Sequence, residues 1–190
     1  MSTRPSTAEA LAAIAAARSD ELVVLTMSAL GWPHPRADDF RLVGQMGAAA
    51  SIGLGIALGA PSRGVWVLDG DGSLLMQLGV LSAVADAAPA NYVHIVLAND
   101  VYAISGGQPV PAVRDWAELA LGAGYRSART CPTPRELTDA LRHDDPGPRM
   151  VIVPCEPDDA GVPSVVFEMD IADETARVRA VLGQRADEAR

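Results

Sequence analysis

Two apolar runs that each end in a short polar turn constrain this 190-residue chain more than any other feature of it. The first, Val65-Trp66-Val67-Leu68, stops at Asp69-Gly70-Asp71-Gly72-Ser73. The second, Tyr92 to Leu97, stops at Asn99-Asp100-Val101-Tyr102. Between them, Ser73 to Ala90 carries Leu74, Leu75, Leu78, Leu81 and Val84 at helical spacings and ends at Pro89-Ala90-Asn91. Apolar strand, helix, apolar strand is the parallel unit of an α/β sheet. Both strands then finish on the same edge, where α/β proteins bind ligands.

The chemistry of that edge follows from its residue types. Gly70 and Gly72 flank Asp71 where a strand turns sharply into a helix, and residues without a Cβ let the backbone approach a ligand closely there. Asp71 and Asn99 can therefore meet. A carboxylate, an amide oxygen and a nearby backbone carbonyl suit Mg²⁺ or Ca²⁺, which take oxygen ligands. The plainer alternative is a turn Asp and a strand-end Asn that satisfy their own backbone, and the spacing favours the ligand reading.

Gly70-Asp71-Gly72-Ser73 with Asn99 about 28 residues past Asp71 resembles the thiamine-diphosphate signature of the cofactor-binding half of the thiamine-dependent decarboxylases. Tyr102 and the upstream Gly44-Gln45-Met46-Gly47 strengthen the resemblance, which runs from about Glu21 to Pro163. Within that family, three stretches are similar to the phosphonopyruvate and sulfopyruvate decarboxylases: Asp71 to Met76, Val93 to Leu97, and Tyr102 leading into Ser105-Gly106-Gly107-Gln108. The implied fold is α/β, a single thiamine-diphosphate-binding (PP-type) domain with a central, mainly parallel sheet and helices on both faces. The resemblance implies Asp71 and Asn99 as side-chain metal ligands and Val101 as the backbone-carbonyl ligand. Gly44 would offer its carbonyl to the aminopyrimidine and Met46 would be the wedge that keeps the cofactor bent, although a Met among small residues is also common core filler. Gly47, Gly70, Gly72, Ser73 and Tyr102 complete the implied cofactor set, and Ser105, Gly106, Gly107 and Gln108 the implied substrate loop. The loop departs from the family pattern at Ala103-Ile104, where small polar residues are usual, and at Val110, where a Thr is common.

The implied cofactors are thiamine diphosphate and Mg²⁺, and the implied reaction is decarboxylation of a small anionic 2-oxo acid, 3-phosphonopyruvate or 3-sulfopyruvate, to an aldehyde and CO₂. In the family, the Glu that activates the pyrimidine N1′ sits in a separate pyrimidine-binding (PYR) domain. No stretch before Glu21 is long enough to hold another sheet, so the Glu is expected on a partner chain, in a hetero-oligomer such as α2β2 or larger. Two alternatives stay open. One is a subunit of another thiamine-diphosphate enzyme, such as an acetolactate-type carboligase or a 2-oxo acid oxidoreductase, although no cysteine cluster or FAD domain accompanies the motif. The other is a non-catalytic diphosphate-binding or scaffold module.

Composition sets the remaining bounds. With 49% apolar residues and a net charge of −9, the chain is a poor nucleic-acid binder. Cys131 and Cys155 belong to no paired motif, which suits a reducing compartment, and a cytoplasmic location is expected. The longest apolar window, Met46 to Ala60, is broken by glycines and too short to cross a bilayer. One domain over 1–190 is expected: an N-terminal helix at about 6–18 capped by Ser6 or Thr7, a core at about 21–163, and a tail with a last helix at Asp173 to Leu182. Further expectations are strands at Leu22 to Met27 and Met150 to Cys155, and helices at Gly47 to Gly59, Val113 to Leu121 and Pro134 to Arg142. The helix near Gly47 would point free N–H groups at a diphosphate. His94, mid-strand among apolar residues, reads as a hydrogen-bonded structural histidine and His34 as a solvent-facing loop residue. Arg114 and Gln108 are the local groups that could meet an anionic substrate.

Overall fold

The computed structural model describes residues 4–26, 29, 31–42, 44–143, 145–157 and 170–188. In chain order the elements are α1 (Thr7–Ala17), β1 (Leu22–Leu25), β2 (Phe40–Arg41), α2 (Ala49–Gly59), β3 (Val65–Gly70), α3 (Asp71–Met76), α4 (Val80–Ala87) and β4 (Tyr92–Ala98). There follow β5 (Val101–Tyr102), β6 (Gln108–Pro109), α5 (Trp116–Ala123), β7 (Ser127–Thr130), α6 (Pro134–Arg142), β8 (Arg149–Pro154) and α7 (Ile171–Glu188). Six strands form one sheet in the order β2-β1-β3-β4-β8-β7, every neighbouring pair parallel, while β5 and β6 make a separate antiparallel hairpin.

The strands divide their side chains with a period of two. Val65, Val67, Tyr92, Val96, Met150 and Ile152 enter one core cluster, which α2, α4 and α5 cover. Trp66, Leu68, Val93, Ile95, Val151 and Val153 enter a second cluster on the other face, under α1 and α6. Burial on both faces explains why β3 and β4 read as unbroken apolar runs. Fully burying such an aliphatic side chain is worth about 1.5–3 kcal/mol, so the sheet is the stiff element from which the turns hang. Val65 pairs with Tyr92 and Gly70 with Leu97, so β3 and β4 finish together and deliver Asp71 and Asn99 to one edge.

Local signals account for most helix ends. Ser6 and Glu9 form a capping box on α1, and Thr133 and Glu136 another on α6, with Pro134 in the first turn. Asp115 caps α5, so that helix starts at Trp116 rather than Val113. The segment expected as one helix from Ser73 to Ala90 is two. It breaks at Gln77 and restarts at Gly79, where glycine costs about 1 kcal/mol in a helix interior, and the restart turns Val80, Leu81 and Val84 onto the core. The strand expected at Leu22 to Met27 ends at Leu25, with Met27 outside the described residues. The last helix extends beyond both expected ends, and two edge strands, β2 and β7, had no expectation attached. Among the described residues no helix is long and apolar enough to cross a membrane.

Candidate cofactor and metal site

Gly70 caps α3 in an extended conformation, and Asp71 is the first residue of the helix, 2% exposed. Its Oδ1 accepts the Gly72 N–H at 2.7 Å and its Oδ2 the Asp100 N–H at 2.8 Å. The second bond joins the end of β3 to the turn after β4. Asp100 adopts φ 62°, a left-handed conformation that Asp tolerates better than most residues, in the tight turn that follows β4. Beside it Asn99, 5% exposed, accepts the Val101 N–H on Oδ1 at 3.2 Å. Burial, the largest influence, lifts the Asp71 carboxyl above the ordinary carboxylate range, and the N–H bonds from Asp100 and Gly72 offset this only in part. Among the described residues no arginine, lysine or histidine pairs with Asp71.

A cavity of about 160 Å³ opens over this turn. It is lined by Gly44, Met46, Asp71, Gly72 and Ser73 and, from the hairpin segment, by Val101, Tyr102, Ala103, Ile104 and Ser105. The hairpin is laid directly on the glycine turn: a Cβ at Gly72 would stand 2.5 Å from Tyr102 Cε1 and 3.1 Å from Val110 Cγ2, so only glycine fits. Gly44, at φ 71°, has open space where its Cβ would be. Gly106 and Gly107, at φ 107° and 74°, make the hairpin turn, and Gln108 lies exposed in β6; none of the three is on the cavity wall. Gly70 and Asn99 are not among the lining residues; Gly70 directly precedes Asp71, and Asn99 precedes Asp100, whose N–H bonds Asp71.

The Gly47 expectation needs a correction. Its N–H is not free but donates to Ser73 Oγ at 2.8 Å, and α2 begins only at Ala49, with no side-chain cap. Gly47 is tied to α3, because Ser73 and Gln77 crowd it: a Cβ there would stand 2.8 Å from Gln77 Cγ. Ala103 and Ile104, which depart from the small polar residues usual at those positions, also line the cavity. Arg114 and His34 are exposed and off the wall.

These residues fit a bound cation with a phosphorylated cofactor. The carboxylate is buried, and among the described residues each of its oxygens is engaged only by a backbone N–H and no positive side chain neutralises it. Among the described residues no cluster of three or more His, Cys, Asp or Glu could hold a metal alone. The set suits an ion that completes its shell with phosphate oxygens and water.

The family model for the thiamine pyrophosphate enzyme C-terminal TPP-binding domain matches residues 26–153. A phosphonopyruvate decarboxylase from Streptomyces hygroscopicus is 43% identical over 125 residues, 64% of this chain and 31% of that protein. Sulfopyruvate decarboxylase subunit beta from Methanothermobacter thermautotrophicus is 38% identical over 172 residues, 85% of this chain and 87% of the relative. Among solved structures, the thiamine diphosphate-dependent 4-hydroxybenzoylformate decarboxylase of Rhodococcus jostii RHA1 superposes with a TM-score of 0.71 at 22% identity, over 84% of this chain and 34% of that one, a likeness of fold. The chain belongs to the thiamine pyrophosphate enzyme family, as its C-terminal TPP-binding domain. It spans only about a third of the length of the phosphonopyruvate decarboxylases it matches.

Proposed function

We propose that this chain is the cofactor-binding subunit of a heteromeric thiamine-diphosphate-dependent 2-oxo acid decarboxylase that acts on 3-phosphonopyruvate or 3-sulfopyruvate. The observation that carries the reading is Asp71: a buried carboxylate beside the cavity, held by backbone donors and left without a positive partner. Asp71, Asn99 and the Val101 carbonyl hold Mg²⁺. Gly44 would offer its carbonyl to the aminopyrimidine and Met46 would keep the cofactor bent; Gly70, Gly72 and Ser73 form the turn, Tyr102 packs on it, and Gly47 anchors it through Ser73. When bound, thiamine diphosphate supplies the nucleophilic carbon and the electron sink for loss of CO₂. The β5–β6 hairpin, with Ser105 on the wall and Gly106, Gly107 and Gln108 at its tip, covers the site and excludes water.

A partner follows from the same reading. Among the described residues the cavity wall carries no cation and no acid besides Asp71, so the Glu for the pyrimidine and most of the positive charge for a dianionic substrate come from a PYR-domain subunit. The relative that matches this chain nearly end to end is named as a beta subunit, which supports a hetero-oligomer. Cys131 and Cys155, both buried and not joined in a disulfide, suit a reducing cytoplasm. The test is reconstitution. The chain alone is expected to be inactive and to bind thiamine diphosphate weakly, and mixing with a PYR-domain chain to create activity with a higher kcat/KM for 3-phosphonopyruvate or 3-sulfopyruvate than for pyruvate. Turnover by the single chain refutes the split site. A preference for pyruvate would show that Ala103, Ile104 and Val110 mark a less charged substrate.

A further inference from the structure

Two polar side chains sit where the alternation of β3 and β4 calls for apolar ones. Asp69 follows Val65 and Val67 on the face of the sheet beneath α2, and His94 lies between Tyr92 and Val96 on the same face; both are 0% exposed. Asp69 Oδ1 accepts the N–H of Gly70, the cap of α3 and the neighbour of Asp71, at 3.0 Å. Asp69 Oδ2 stands 3.6 Å from His94 Nε2, and neither atom has a hydrogen-bond partner. The imidazole is itself fixed: Nδ1 is 3.2 Å from Tyr125 Oη, and the ring meets Tyr92 edge-on at 6.0 Å and 73°. Tyr92 is pinned in turn by donating to the Ala50 carbonyl at 3.2 Å.

A buried carboxylate with one oxygen unsatisfied is costly, and well-packed apolar residues in place of a buried charged pair often leave a fold as stable or more so. The pair therefore does not earn its place through stability. Its contact outside the core is the Gly70 N–H, one residue before Asp71. We propose that Asp69 and His94 are positioning residues for the metal turn, holding the Gly70 backbone so that the Asp71 carboxylate presents itself in the near-octahedral geometry Mg²⁺ demands; this rests on the metal role proposed for Asp71. Outer groups that orient a ligand commonly matter to metal affinity by about 10–100-fold.

Mg²⁺ and Ca²⁺ separate positioning from packing, because Ca²⁺ tolerates irregular geometry and Mg²⁺ does not. The experiment titrates each ion into the chain reconstituted with its PYR-domain partner and thiamine diphosphate, followed by calorimetry, with melting curves alongside, for wild type, Asp69→Leu, His94→Leu and Asp69→Asn. In both leucine variants the Mg²⁺ affinity is expected to fall about 10–100-fold while Ca²⁺ affinity falls much less. Asp69→Asn, which keeps an oxygen for Gly70 and can face His94 with its amide, is expected to restore the wild-type preference. If Asp69→Leu does not fold, His94→Leu and Asp69→Asn decide. Equal losses for the two ions, or no loss, overturn the proposal while leaving the metal site standing. A wild-type complex that binds neither ion overturns the metal reading and this proposal with it.

Discussion

The buried carboxylates along the β2 edge and the one at the metal turn, Asp71, are treated in opposite ways. Along the β2 edge each has an arginine: Arg63 Nη2 lies 2.9 Å from Asp38, Arg18 Nη2 2.6 Å from Asp39, and Arg41 Nη2 2.9 Å from Glu174, which Arg177 also meets. Burial alone would raise the Asp38 and Glu174 carboxyls, yet the bonds and charge of Arg63 and Arg41 hold both below their ordinary values. At the β3–β4 edge Asp71 receives only backbone N–H groups, and its carboxyl lies above the ordinary range. A sequence that supplies arginines to one set of buried acids and withholds them from another leaves the second open to a cation from outside. The contrast separates a charge that stabilises the fold from one kept for binding.

The largest effect should come from the paired side. Asp38→Ala leaves Arg63 short of its carboxylate in a buried setting and should cost about 3–5 kcal/mol. In a chain this size each 1 kcal/mol moves the melting temperature by about 2–4 °C. Thermal melts should show the drop while the affinity for thiamine diphosphate with Mg²⁺ in the surviving folded chain stays unchanged. A variant as stable as wild type would mean that the β2-edge arginines do not pair with these acids in solution.

Asp71→Ala and Asn99→Ala should show the reverse pattern. Each leaves Mg²⁺ one ligand short, so cofactor affinity should fall at least about tenfold, or about 1.4 kcal/mol, while the melting temperature without cofactor falls by less than in Asp38→Ala. Retention of wild-type affinity in both variants, measured by titration with thiamine diphosphate and Mg²⁺, would remove the metal assignment.

The two regions should also respond oppositely to pH. The raised folded-state value of Asp71 means that its contribution to stability without metal is fully present below the unfolded carboxylate range and lost as pH rises through the folded value. Asp38 and Glu174, with depressed folded values, contribute above the unfolded range and lose that contribution as pH falls through their folded values. Mg²⁺ requires the ionised Asp71, so the rise in melting temperature on adding Mg²⁺ and thiamine diphosphate should shrink on acidification, starting above the ordinary carboxylate range. Melting curves with and without the two ligands across that range measure it; a gain independent of pH would place the ion elsewhere.

The same contrast marks what the sequence could reveal. The β3–β4 edge was legible because its strands are apolar on both faces and its turn is built from neighbours in sequence, Gly70 to Ser73 and Asn99 to Tyr102. The β2 edge was not: Arg18, Asp38, Arg63 and Glu174 come from four separate segments, and β2 itself is two residues long. The edge strand β7, Ser-Ala-Arg-Thr, is mostly exposed and carries no apolar run to announce it. Asp69 and His94 fell between these cases. Read singly, His94 was a structural histidine; only the register, which puts both residues on one inward face, shows them as a pair.

The smallest effect tests whether the contrast survives next to the site. One arginine does reach the metal turn: Arg4 Nη1 lies 2.8 Å from Asp100 Oδ2, with side-chain exposures of 44% and 69%. The N-terminal segment carrying it is held by backbone bonds between Pro5, Thr7 and Glu156, so Arg4 is brought to Asp100 whether or not the ion pair contributes. Exposed pairs of this kind are worth about 0.2–1 kcal/mol and weaken with salt. Asp71 is bonded to the Asp100 backbone, not to its side chain, and that N–H stays in place when Arg4 is removed. Arg4→Ala should therefore lower the melting temperature by at most about 2–4 °C, less at high salt, and leave the affinity for Mg²⁺ and thiamine diphosphate close to that of wild type. A loss as large as that of Asp71→Ala would mean that a positive charge of the chain itself serves the metal turn, and the distinction between paired and unpaired carboxylates would no longer hold there.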